Sequence, residues 1–67
     1  MMKKLSPKSP EPAIGSVVQH GDDFTMNTYS RWADGYWRLT GARQRFGWKF
    51  ITSYPNVRLI FDGSTNR

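Results

Sequence analysis

Apolar and polar positions alternate most clearly in the middle of the chain. From Phe24 to Trp32, residues Phe24, Met26, Thr28, Ser30 and Trp32 fall on one side of an extended backbone, and Thr25, Asn27, Tyr29 and Arg31 on the other. Asp34-Gly35 follows, a pair that favours a tight hairpin, and Tyr36 to Thr40 is the returning strand. Upstream, Ile14 to Gln19 carries Val17 and Val18 and reads as a strand. It ends in a predicted turn at His20-Gly21-Asp22-Asp23, where glycine supplies positive φ and aspartate tolerates turn geometry. Downstream, Pro55-Asn56 turns the chain into a strand from Val57 to Phe61, closed by Asp62-Gly63.

The stretch between these strands carries two periodicities. Phe46, Trp48 and Phe50 alternate as in a strand, whereas Phe46, Phe50, Ile51 and Tyr54 fall at helical spacing. Gly47 weakens a helix and Pro55 ends either element. The expectation is one short helix within 46–53. The fold class that follows is mainly β: a small curled antiparallel sheet, or an SH3-like barrel of four to five strands, with that helix at 46–53.

The hairpin makes a sharper statement possible. With Asp34 and Gly35 as the two central residues of a type I′ turn, Trp32 lies opposite Trp37, Arg31 opposite Arg38 and Ala33 opposite Tyr36. Opposed residues share a face. One face then holds Trp32, Trp37, Leu39, Phe24 and Met26 as a core, and the other presents Tyr29, Arg31, Tyr36 and Arg38 to water. A bulged three-residue loop would shift that register.

Composition changes this picture in one respect. The chain has 67 residues, and Ala, Val, Ile and Leu occur three times each, while aromatics supply 15% of the residues. A core must therefore come from a few large rings, with Phe46, Phe50 and Phe61 expected to join the tryptophans. Residues 1–13 hold three of the four prolines and three lysines, and read as a flexible basic arm before a single β-rich domain over 14–63. Such an arm either touches phosphate or simply keeps the chain soluble. Lys3 and Lys4 are not followed by the apolar run of a signal peptide, and no stretch approaches the roughly 18 to 20 apolar residues of a membrane span. The expected setting is cytoplasmic, with no membrane partner.

Candidate chemistry is sparse. There is no cysteine, His20 is the sole histidine, and Glu11, Asp34 and Asp62 are the only acids besides the predicted turn pair Asp22 and Asp23. Neither a metal centre nor a catalytic triad can be assembled from these on sequence grounds. The expectation is a protein that is not an enzyme, with no cofactor and no small-molecule substrate. What remains is positive charge among rings. The net charge is +5, and residues 31–49 hold five cations (Arg31, Arg38, Arg43, Arg45, Lys49) against Asp34 alone, with Trp32, Tyr36, Trp37, Phe46 and Trp48 between them. Arginine grips phosphate in a fork and stacks on rings and bases. The candidate binding residues are Tyr29, Arg31, Tyr36, Arg38, Arg43, Arg45 and Lys49.

Trp37, the Trp48-x-x-Ile51 turn and Val57-x-Leu59-Ile60-x-Asp62-Gly63 together resemble small proteins encoded by actinobacterial viruses (bacteriophages), over about residues 14–63. The resemblance implies a virus-encoded accessory protein, adds weight to a helix at 46–53, and carries no catalytic residues. Two partners fit these readings: nucleic acid, held by the Arg/aromatic sheet face, or an acidic host protein that the chain binds and inhibits or redirects.

Overall fold

The computed structural model describes residues 3–21 and 25–65. Among them lie strands β1 (Lys3–Leu5), β2 (Val17–Gly21), β3 (Met26–Arg31), β4 (Trp37–Leu39), β5 (Arg45–Phe46) and β6 (Val57–Phe61), one helix α1 (Trp48–Ile51) and a 3-10 turn at Gly63–Thr65. The strands form a single antiparallel sheet in the order β1-β6-β2-β3-β4-β5. The fold is mainly β, as the alternation predicts. The sheet has six strands rather than four or five, and it is open, with β1 and β5 at its edges, so it does not close into an SH3-like barrel.

Both additional strands are short. β5 takes two residues from the segment with two periodicities: Phe46 pairs with Trp37 and Arg45 with Arg38. Gly47 stays extended (φ −85°, ψ 161°), and the helix then occupies only Trp48–Ile51. One turn of helix has little stability of its own. It is held here by Ile51, which is fully buried, and by Trp48, which stacks on Trp37 at 5.4 Å between ring centroids.

The other added strand, β1, lies inside the segment read from sequence as an arm. Lys3, Lys4 and Leu5 pair with Leu59, Arg58 and Val57. The prolines begin only at Pro7, so nothing in Lys3–Leu5 prevents a ladder. Leu5 turns inward against the core. The chain then turns at Ser6–Ser9, where Ser9 N–H donates to the Ser6 carbonyl at 2.9 Å, and continues to contacts with the sheet. The Ser9 carbonyl accepts from Trp48 Nε1 at 3.4 Å and the Pro12 carbonyl from Arg31 Nη1 at 2.7 Å.

The hairpin register differs from a type I′ turn by one residue. Gly35 N–H donates to the Trp32 carbonyl at 2.8 Å, Trp32 N–H to the Tyr36 carbonyl at 2.9 Å, and Gly35 has φ +88°. This is a four-residue turn followed by a glycine bulge, the three-residue loop that Asp-Gly also permits. Arg31 therefore faces Trp37, Ser30 faces Arg38 and Tyr29 faces Leu39.

A slip of one residue exchanges the two faces of a strand. Tyr29, expected outside, is buried, and Arg31 shares its face. Trp32 and Met26, expected in the core, are 52% and 46% exposed. Phe24, the remaining expected core residue on that strand, lies outside the described residues, as do Asp22 and Asp23 of the predicted turn. His20 and Gly21 belong to β2 rather than to a turn. Gly21 has φ +131°, and a Cβ there would run into the Thr25 carbonyl.

The buried apolar residues are Val18, Tyr29, Trp37, Ile51 and Val57, with Leu5, Leu39, Phe46, Trp48 and Leu59 packed around them. Phe50 and Phe61, expected in the core, are each 43% exposed. Trp37 is the largest wholly buried side chain. Its Nε1–H donates to Glu11 Oε2 at 2.8 Å, which satisfies the one polar atom of the ring. Trp37→Ala should therefore lower unfolding stability by about 3 to 5 kcal/mol, whereas Trp32→Ala should change it by about 0.5 kcal/mol or less. Urea denaturation of the two variants checks this, and equal losses would refute the observed register.

Candidate functional site

The face opposite the core is built by the same two-residue period. Arg38 on β4 lies opposite Arg45 on β5 and Ser30 on β3, Gln19 on β2 lies opposite Thr28 and Arg58, and Lys4 on β1 lies opposite Arg58. All of these side chains stand on the outer face. Trp32 and Tyr36, which flank the turn, join them: the Arg38 guanidinium lies over the Trp32 ring at 4.4 Å and that of Arg45 over the Tyr36 ring at 4.9 Å. Both rings remain about half exposed, at 52% and 48%.

Asp34, at the tip of the hairpin, ties this cluster together. Its Oδ1 accepts the Tyr36 N–H at 3.0 Å, and its Oδ2 lies 3.4 Å from Arg38 Nη2 and 3.8 Å from Arg45 Nη1. At the other flank, Arg58 Nη2 reaches the Met26 sulfur at 3.6 Å. The Nε–H groups of Arg38 and Arg58 are shielded from solvent and have no hydrogen-bond partner. Among the described residues the outer face thus carries the cations Lys4, Arg38, Arg45 and Arg58 and the carboxylate of Asp34, with hydrogen-bonding Gln19, Thr28 and Ser30 between the two flanks.

The residues singled out from sequence distribute unevenly over this arrangement. Tyr36, Arg38 and Arg45 come together on the outer face. Arg43 is exposed in the β4–β5 connection, where its carbonyl accepts from Arg38 Nη1 at 3.4 Å. Lys49 is exposed on α1, the helix that covers the core face, and so lies across the sheet from the arginines. Tyr29 and Arg31 are on the core face. Arg31 is engaged there by Glu11 at 3.4 Å and by the carbonyls of Pro12 and Gly35. Trp32, Arg58 and Lys4 are the residues missed. The signal for Arg58 and Lys4 was their alternation with Val57, Leu59 and Leu5, which face inward.

No protein-family model, curated protein or solved structure matches the chain. Among the described residues no helix is long and apolar enough to cross a membrane, and no group of three or more His, Cys, Asp or Glu could hold a metal ion.

One further cluster lies on the core side. His20 is buried, stacks on Tyr54 at 4.2 Å with the rings 9° from parallel, and shares a hydrogen bond between Nε2 and the Tyr29 hydroxyl at 3.0 Å. Burial lowers the His20 pKa below its ordinary 6.5. For Tyr29 burial, and then the neighbouring Tyr54, raise it. The fold therefore favours neutral His20. The unfolded chain binds a proton near pH 6.5 that the native state refuses, so stability is full above about pH 7 and declines as pH falls through 6.5 toward the lower folded value. Urea midpoints should fall between pH 7.5 and 5, and His20→Gln should flatten that decline. An unchanged slope in His20→Gln would assign it to another group.

Proposed function

We propose that the protein is a small non-enzymatic module that binds single-stranded nucleic acid on its outer sheet face. The observation that carries this reading is the pairing of two exposed rings, Trp32 and Tyr36, with the guanidiniums of Arg38 and Arg45 on a face that also presents Arg58 and Lys4. Rings open to solvent offer stacking area to unpaired bases, which a duplex would keep within its own stack. Guanidiniums beside the rings supply the phosphate contacts that give affinity. The hydroxyls and amide of Thr28, Ser30 and Gln19 line the path between the cationic flanks.

A second reading keeps the same face and changes the partner. Ile60 and Phe61 are partly exposed, at 39% and 43%, and with Trp32 and Met26 they add apolar area to the arginines. Tyr, Trp and Arg dominate the energetics of protein interfaces, so an acidic host protein is the alternative occupant.

Salt dependence separates the two. Titration of the protein with single-stranded DNA and RNA oligonucleotides, followed by tryptophan fluorescence, should show affinity falling log-linearly with salt, with a slope of about −2 to −3 for three or four phosphate contacts. Arg38→Ala/Arg45→Ala should weaken binding about tenfold or more, and Trp32→Ala should cost about 1 to 3 kcal/mol of binding through lost stacking. The reading fails if oligonucleotides do not bind at low salt, or if these variants bind as the parent does. A salt-tolerant, nuclease-resistant protein complex lost in Trp32→Ala would establish the alternative.

A further inference from the structure

We infer that Arg38 and Arg45 form a phosphate-binding pair whose seat is occupied, in the protein alone, by the Asp34 carboxylate. The inference rests on the outer-face reading above and names the chemistry of its centre. Arg38 and Arg45 are direct cross-strand partners. Like charges directly opposite each other destabilise a sheet unless an anion lies between them. Asp34 supplies that anion, but loosely. Its Oδ2 stands 3.4 and 3.8 Å from the two guanidiniums, against about 2.7 to 2.9 Å for a well-formed charge-assisted hydrogen bond.

The two oxygens of Asp34 have separate tasks. Oδ1 accepts the Tyr36 N–H and shapes the turn, whereas Oδ2 accepts a long hydrogen bond from Arg38 Nη2 at 3.4 Å and faces Arg45 at 3.8 Å. The donors open to a ligand are mainly those of Arg45, whose side chain is 58% exposed. A phosphodiester has two free oxygens and can give one to each fork, whereas Asp34 offers both arginines the same oxygen. Binding then displaces Oδ2 while the turn bond through Oδ1 remains. Asp34 acts as a competitor built into the site, so ligands without a phosphate-like anion gain nothing by entering it.

Asp34→Asn tests this, because asparagine keeps the turn acceptor and removes the competing charge. Asp34→Ser serves the same end if the amide disturbs the turn, and melting curves confirm that each variant folds. Oligothymidylate and inorganic phosphate are the probes, with Asp62→Asn as a control of equal net-charge change outside the pair. The expected result is an oligothymidylate affinity about three- to fivefold above the parent at low salt. The salt slope should be steeper by close to one ion. Both gains should be absent from Asp62→Asn and abolished when Arg38→Ala/Arg45→Ala is added. If the parent binds oligothymidylate through Arg38 and Arg45 but Asp34→Asn gains no more than Asp62→Asn, the competitor role is overturned and the nucleic-acid reading stands. If only inorganic phosphate binds, more tightly in Asp34→Asn and dependent on both arginines, the phosphate pair stands and the nucleic-acid reading falls. Binding of neither probe by any variant overturns both.

Discussion

The architecture depends on how many residues the chain spends at the tip of one hairpin. Gly35 adopts φ +88° and adds a bulge to the turn that starts at Trp32, so Arg31 rather than Trp32 meets Trp37. Because side chains alternate with period two, that single choice decides the face of every residue on β3. It puts Tyr29 opposite Leu39 in the core and turns Trp32 outward beside Arg38. A type I′ turn on the same sequence would expose Tyr29 and bury Trp32 with Met26. The core and the candidate binding face are therefore two consequences of one local backbone conformation.

The core that results is small, and it needs a cover that the sheet itself does not provide. Trp37 is fully buried, yet its indole N–H must find an acceptor. That acceptor comes from Glu11, 26 residues earlier in the chain. The same carboxylate oxygen lies 3.4 Å from Arg31, whose guanidinium also takes the carbonyls of Pro12 and Gly35. Arg31 thus fixes the segment before β2 against the hairpin, and it holds the hairpin loop from beneath. A charge that looks available for ligand in the sequence is committed to joining two parts of the fold. On the far side, buried Ser16 performs a comparable task, its hydroxyl accepting the Gly63 N–H at 2.9 Å just beyond β6.

What could be read from the chain, and what could not, divides along this line. The alternation in 24–32, the strand at 57–61 between its turns, the return strand around Trp37 and the short helix within 46–53 are visible because each rests on local pattern and breakers. Trp37 and Leu39 are placed toward the core under either register, because both sit on the inward side of the return strand. The faces of Tyr29, Arg31 and Trp32 were not legible, since Asp-Gly fits both a two-residue turn and a bulged loop, and only packing selects between them. β1 and β5 were missed for a different reason. Strands of three and two residues carry no periodicity, and their existence depends on pairing with partners far along the chain: β1 with β6, and β5 with β4. His20 was read as a turn residue because Gly21-Asp22-Asp23 follows it. Its burial comes from Tyr29 and Tyr54, which lie nine and 34 positions later.

The outer face is the part of the molecule that stability alone does not explain. Like charges face each other at both flanks of the sheet, Lys4 with Arg58 and Arg38 with Arg45, and Asp34 lies beside the second pair. The strands that carry Arg58 and Arg38, β6 and β4, are separated by two others, a span of about 14 Å at the usual inter-strand spacing. Across that span the outer face carries Gln19, Thr28 and Ser30, neutral groups that bond readily to either a phosphate or a base, beside the apolar Val17 and Met26. A sheet selected only to hold its core would alternate charge sign across neighbouring strands, gaining a few tenths of a kcal/mol per pair. Here like charges are paired instead, and rings are left in water beside them. An extended polyanion lying across the strands relieves both flanks at once and covers the rings. A compact anion relieves only the Asp34 side. The distance between the two cationic flanks, more than either flank alone, is thus the physical reason to favour a chain-like ligand over a small one.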